Sequence, residues 1–263
     1  EHGRVDPKDL ENAITERTCL ITIMMANNET GTIQPIGDLA EIARERNIVF
    51  HTDGAQTVGK IPVDVERLGV DLLTISAHKF YGPKGIGALY VRKGLNVEPL
   101  INGGKQETGL RAGTENVLGI VGFGKAAQLA MNNLPDMSRV RKSRDKLEEG
   151  IRGLVPSAKL NGHRTERLPN TLNMTLPGIR GESLVLALDQ KGVAISSGSA
   201  CRAGIPEPSH ALTAMGLSEK EAHCSVRFSL GRENTEEQVD RAMAILRGII
   251  SDQKSIVRFV SCR

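Results

Sequence analysis

Between Cys19 and Val91 the chain alternates short apolar runs with amphipathic helical stretches, and this pattern limits the fold more than any other feature. Cys19-Leu-Ile-Thr-Ile-Met-Met25 predicts a buried strand. Ile36 to Arg46 predicts a helix with Ile36, Leu39, Ala40 and Ala43 on one face. Asn47 to His51, Asp71 to Ser76 and Gly87 to Val91 predict three further strands. Strands separated by helices imply a mostly parallel sheet with covered faces. Ahead of them, Asp6 to Ile14 reads as a helix, with Asp6 at the N-cap and Pro7 at the first helical position. A helical pattern then dominates from Asn116 to Leu154, interrupted near Pro135. Beyond it, strands at Asn170–Leu176, Ala194–Ser197 and Cys224–Ser229 mix with helices at Glu182–Gln190 and Thr235–Ile250. That is an α+β pattern. The expected organisation is an α/β large domain over 1–132 and an α+β small domain over 133–263.

Composition removes several function classes. A formal net charge of +3 over 263 residues gives no argument for a nucleic-acid or membrane surface. Aromatics are 3% with no Trp, which leaves little to stack on bases. No apolar run approaches the roughly 20 residues that span a bilayer. Cys19, Cys201, Cys224 and Cys262 form no C-x-x-C pair, so neither a zinc site nor a disulfide framework is indicated. A cytoplasmic, reduced protein is the simplest reading. The first residue is Glu1 and no signal peptide is visible, so the chain reads as part of something longer.

Chemistry concentrates where strands end. In Thr74-Ile-Ser-Ala-His-Lys-Phe-Tyr-Gly-Pro-Lys-Gly-Ile-Gly87, Lys79 follows a strand directly and precedes a glycine-rich turn. The carboxyl end of a strand is where α/β folds bind ligands. A partly buried lysine there can form a Schiff base. Ser76 and His78 flank it with donors suited to a phosphate or an aldehyde oxygen. By itself, a lone lysine after a strand is more often solvated. In His51-Thr-Asp-Gly-Ala-Gln-Thr-Val-Gly59, Asp53 closes another apolar strand. A carboxylate there can pair with a protonated pyridine nitrogen, with Gln56 donating to a phenolic oxygen. Asp53 serves equally well as a helix N-cap.

Cys201 sits in Ser197-Gly-Ser-Ala-Cys-Arg-Ala-Gly204, where small residues and Gly204 permit a mobile segment. Thiolate is the attacking form of cysteine, and Arg202 favours it modestly. The usual fate of a free cysteine is a small buried hydrophobe. Arg227, between Val226 and Phe228, suits a bidentate grip on a carboxylate. An internal salt bridge is the alternative.

Taken in order, Asp53-x-x-Gln56 and Ser76-Ala-His-Lys79 resemble the class V, fold-type I pyridoxal-5'-phosphate (PLP) enzymes, specifically the cysteine desulfurases. The resemblance extends through Ala26-Asn-Asn-Glu-Thr-Gly31, Tyr81-Gly-Pro-Lys-Gly85, Gly109-Leu-Arg-Ala-Gly-Thr114, Ser196-Ser-Gly-Ser-Ala-Cys201, Glu207-Pro-Ser209 and Ser225-Val-Arg-Phe-Ser-Leu-Gly-Arg232. It implies that Lys79 anchors PLP and shuttles a proton, while Asp53 holds the pyridinium and Gln56 the phenolic side. Ser76 and His78 would contact the phosphate, and Thr114 the phosphate of a neighbouring subunit's cofactor in a homodimer. Asn28 would position substrate or cofactor. Arg227 would clamp the α-carboxylate of L-cysteine. Cys201 would carry a persulfide to an iron–sulfur scaffold or other acceptor, and can serve as a transient cluster ligand. No resident metal is implied. The spacing from Cys201 to Ser209 resembles the longer-loop group that serves iron–sulfur assembly.

Two departures stand out. The family's N-terminal part, with its phosphate-binding turn and a ring-stacking histidine, has no counterpart here. Where relatives have His-Gly-Gly-Gly-Gln-Glu-Arg-Gly, this chain has Asn102-Gly-Gly-Lys-Gln-Glu-Thr-Gly109. Two readings therefore stand beside a desulfurase. One is a selenocysteine lyase or cysteine-sulfinate desulfinase, and the other a non-catalytic fragment acting as a binding module.

Overall fold

The computed structural model describes residues 2–198 and 207–260. Its contacts divide into two units. One comprises Val5–Ala26 with Gln34–Pro135; the other joins the residues before Val5, the segment Asn27–Ile33 and the chain from Asp136 onward.

In the first unit, helix α1 (Pro7–Ala13) starts as expected, with Asp6 accepting from the Lys8 N–H at 2.9 Å. Strand β1 (Leu20–Met24), helix α2 (Ile36–Glu45), strand β2 (Val49–Asp53), the single turn α3 (Val65–Leu68), strand β3 (Leu72–Ser76), strand β4 (Gly87–Val91) and helix α4 (Val117–Asn132) follow. The sheet order is β1-β2-β3-β4. The first three strands run parallel, and β4 pairs antiparallel to β3. The link Ala77–Ile86 is too short for a crossover, so β4 must turn back. Ile36, Leu39, Ala40 and Ala43 of α2 are buried against Phe50, Val70 and Leu73. Each large side chain in that set stabilises the layer by about 1.5–3 kcal/mol.

One expectation fails here. β1 is not a buried strand: Ile21 is covered, but Leu20 and Met24 are 48% and 41% exposed. It edges the sheet and, among the described residues, only one of its faces is packed.

In the second unit, helix α5 (Met137–Leu154) precedes strands β5 (Lys159–Leu160) and β6 (Thr171–Thr175). Helices α6 (Gly181–Asp189), α7 (His210–Ala214) and α8 (Glu219–His223), strand β7 (Ser225–Ser229) and helix α9 (Glu236–Val260) complete it. The sheet β5-β6-β7 is antiparallel. Leu147 and Ile151 of α5, Leu172 and Met174 of β6, Leu184 and Leu188 of α6, and Leu246 of α9 form its core.

The strand expected at Ala194–Ser197 is a single bridge, Ser196 to Arg227. The chain bends at Ser197, and Gly198 adopts a left-handed φ of 93°, so pairing stops after one residue. The two-residue β5 and the short helices α3, α7 and α8 carry too little periodicity to be read from sequence.

Candidate active site

Parallel pairing places Met24 opposite Asp53 and Asp53 opposite Thr74, so β2 and β3 finish at the same end of the sheet. Asp53 is the last residue of β2 and Ser76 the last of β3. A 3-10 turn, Ala77–Phe80, then carries His78 and Lys79. The turn is anchored by its two buried residues. Ala77 donates its N–H to Ile86 at 3.1 Å, and Phe80 packs on Phe123, Ala126 and Ala130 of α4. Tyr81 closes it with a left-handed φ of 70°, an uncommon state for a bulky residue. At Gly82 an added Cβ would stand 2.8 Å from the Ala77 Cβ and 3.1 Å from that of Ala126. Only glycine lets the turn lie this close to the helix. With Ala77 and Phe80 fixed inward, His78 is exposed and Lys79 is half-buried. Among the described residues the Lys79 ammonium has no hydrogen-bond or ion-pair partner.

Asp53 is exposed and accepts the Ala55 N–H at 2.8 Å. This is an Asx turn; no helix follows for it to cap. Gln56 accepts from Lys60 Nζ through Oε1 at 3.1 Å, which leaves its NH2 as the end able to donate. Thr114 is exposed in the loop before α4.

Sequence reasoning gave no role to His51, which shares the Asp53 face of β2 by strand alternation. Its Nδ1 lies 2.7 Å from Thr22 Oγ1 of β1 and its Nε2 2.8 Å from Thr74 Oγ1 of β3. The ring thus straps three strands together two residues before the carboxylate. Burial pushes its pKa below 6.5, and the Asp53 charge opposes that shift. The signal available was the two-residue spacing, but the threonine partners come from distant segments.

Within the second unit the structure joins Asn28 and Arg227. Arg227 Nη1 donates to the Asn28 carbonyl at 2.9 Å, and Nη2 to Ser196 Oγ at 3.3 Å. The segment holding Asn28 is itself fixed. Asn27 Oδ1 accepts the N–H groups of Glu29 and Thr30, both at 2.9 Å. Ser209 Oγ donates to Glu29 Oε2 at 2.6 Å, and Asn173 Nδ2 to the Glu29 carbonyl at 3.2 Å. Cys201, Arg202 and Gly204 lie outside the described residues. No group of three or more His, Cys, Asp or Glu suited to a metal occurs among the described residues. No helix there is long and apolar enough to cross a membrane.

The donor set at the β2 and β3 ends suits PLP. It offers an uncommitted amine, an exposed carboxylate, an amide N–H2, a hydroxyl and an imidazole at one sheet terminus. Sheet and lysine turn define an α/β protein of the fold-type I PLP class. Residues 1–242 match the model of aminotransferase class V, and the chain belongs to that family, whose members are PLP-dependent.

Several relatives are similar over nearly all of the chain. Cysteine desulfurase IscS of Methanosarcina thermophila is 51% identical over 257 residues, covering 97% of this chain and 63% of the relative. Cysteine desulfurase IscS of Dictyoglomus turgidum is 50% identical, covering 97% and 65%. The chain therefore spans just under two thirds of the length of these curated relatives. A solved NifS-like protein superposes with a TM-score of 0.87 at 42% identity, over 95% of this chain and 66% of that one. A structure described as SspA in complex with cysteine gives 0.72 at 40% identity, over 89% and 65%.

Proposed function

We propose that this protein acts in the PLP-dependent desulfuration of L-cysteine to L-alanine. The observation that carries the reading is the uncommitted Lys79, held on a glycine-tight turn at the sheet end where Asp53 also lies. Lys79 holds the cofactor aldehyde and moves protons at the substrate α-carbon. Asp53 keeps the pyridine nitrogen protonated, and Gln56 donates to the phenolic oxygen. Ser76 and His78 hold the phosphate. PLP bound there would supply an electron sink. Asn28 and Arg227 receive the amino acid's carboxylate, a role that the contact of the Arg227 guanidinium with the Asn28 carbonyl supports. The Cys201 thiolate attacks the substrate sulfur. The carbon–sulfur bond breaks with its electron pair going to carbon, which takes a proton, and Cys201 is left as a persulfide.

Iron–sulfur assembly is the favoured destination, since several of the similar relatives are named cysteine desulfurase IscS. An iron–sulfur scaffold or other sulfur acceptor is then the protein partner. A homodimer, with Thr114 reaching the neighbour's cofactor, and a cytoplasmic setting complete the reading. Free Cys19 and Cys224 fit that setting.

Absorbance after PLP addition tests the cofactor half. The protein should gain a visible band that Lys79→Ala abolishes; an unchanged band in that variant sinks the assignment. Sulfur transfer tests the rest. Cys201→Ser should still show a spectral response to L-cysteine yet release no sulfide. Full release by that variant would redirect the reading to selenocysteine or cysteine sulfinate, whose cleavage does not need the thiol.

A further inference from the structure

A second polar cleft, of about 420 Å³, opens in the α+β unit along α5, lined by Arg141, Arg144, Asp145, Glu148, Arg164 and Arg167 among others. Positions 141, 144, 145 and 148 recur at helical spacing, so α5 presents them on one face. Arg167, 6% exposed, comes from the segment before β6. Its Nη2 meets Glu148 Oε2 at 2.5 Å and Asp145 Oδ1 at 3.6 Å. Its Nε and Nη1 are buried and have no acceptor among the described residues. Arginine carries five donors in a rigid fork, and two of these nitrogens are enclosed behind the cleft wall rather than exposed to it.

The cations around it are crowded. Arg144, 5% exposed, donates Nη1 to the Leu168 carbonyl at 2.7 Å and bonds Asp145 through Nε at 2.9 Å. Burial first, and then the charges of Arg167 and Arg141, depress its pKa against the pull of Asp145. Arg141 and Arg164 are exposed at the rim and make no ion pair or hydrogen bond among the described residues. Glu148 is already shared between Arg167 and Arg152, and Asp145 between Arg144 and Arg167. Asp145 and Glu148 are engaged, Glu149 lines the cleft with no partner among the described residues, and four arginines face these three carboxylates.

We propose that this cleft binds a doubly charged phosphate group, either inorganic phosphate or a small phosphate monoester. A tetrahedral dianion can present oxygens to the planar forks of Arg141 and Arg164 together, with the buried Arg167 charge behind them. A single carboxylate satisfies one fork only. The site is independent of the reading given to Lys79.

Isothermal calorimetry with the PLP-loaded protein tests it, using inorganic phosphate and glycerol phosphate against chloride at matched ionic strength. Saturable binding of phosphate but not chloride is expected. The double variant Arg141→Gln with Arg164→Gln should weaken it at least tenfold, the effect of one lost charge-assisted contact pair. Both residues are exposed and unpaired, so folding is not at stake. Ser76→Ala should leave this binding unchanged, which separates it from the cofactor's own phosphate contacts. Tighter binding of glycerol phosphate assigns an organic phosphate, and equal binding assigns the free ion. No saturable binding, full affinity in the double variant, loss in Ser76→Ala, or stronger binding by an oligoglutamate peptide would each overturn the proposal.

Discussion

The two units treat polar groups in opposite ways. At the ends of β2 and β3, the groups that matter stand open: Lys79 has no partner among the described residues, and Asp53 and His78 are exposed. In the α+β unit, a set of amide and hydroxyl side chains is driven into the core and paired. Asn161, Asn173, Thr175 and Ser225 are each at most 4% exposed. Asn161 Nδ2 donates to Asn173 Oδ1 at 2.8 Å and to Thr175 Oγ1 at 3.0 Å, and Thr175 Oγ1 lies 2.8 Å from Ser225 Oγ. The contrast separates chemistry from architecture. Groups left uncommitted are available to a ligand, and groups satisfied internally specify the fold.

That contrast can be broken by measurement. The largest stability loss should come from Glu148→Leu, which strips a buried guanidinium of its main partner. About 3 kcal/mol is expected in urea unfolding, and a loss below about 1 kcal/mol would count against the network's role. The same carboxyl is held below its ordinary 4.5, because the Arg167 and Arg152 hydrogen bonds and charges outweigh the opposing effect of burial. A depressed acid stabilises the fold above its unfolded value and loses that contribution as pH falls through the folded one. Wild type should therefore lose its advantage over Glu148→Leu as pH drops below 4.5.

Asn173→Leu comes next, at about 2 kcal/mol, because it removes one acceptor of the buried Asn161 amide and the side-chain donor to the Glu29 carbonyl. His51→Asn should act more weakly and through pH. With a folded pKa below 6.5, His51 favours the native state above that value, and the benefit fades as pH falls and the unfolded chain takes up the proton. The variant should flatten the stability profile below pH 6.5. Smallest of all, Lys79→Ala should change stability by no more than about 0.5 kcal/mol, the range for substitutions that break no packing or pairing. A large loss there would erase the distinction between the two units.

The same contrast explains what could be read in the residues alone. Strand-helix alternation, the Asp6-Pro7 start of α1 and the break near Pro135 are local signals, and each appears where expected. Asp53 stands out in the sequence because it ends an apolar strand, and Lys79 because it closely follows one. The edge exposure of β1 does not, since its composition matches that of a covered strand. Nor does the strap through His51, whose partners Thr22 and Thr74 flank it at long range. The Arg144, Arg167 and Glu148 cluster was equally hidden. Helical spacing marks the α5 face, but Arg167 arrives from a separate segment whose only cue is Leu168-Pro169 after it.

The segment Asn27–Ile33 has a wider consequence. It lies between β1 and α2 in sequence, yet it is built into the α+β unit, where Gly31 at φ 75° comes so near Thr171 that an added Cβ would stand 2.9 Å away. The polypeptide therefore visits that unit, leaves, and returns after Pro135. No single backbone cut yields two self-sufficient halves. Severing the chain at residue 135 would deprive the later half of the strip that receives the guanidinium of Arg227 and the amide of Asn173. Expressed separately, the later piece would have to recover that strip from the earlier one before its own unit was whole.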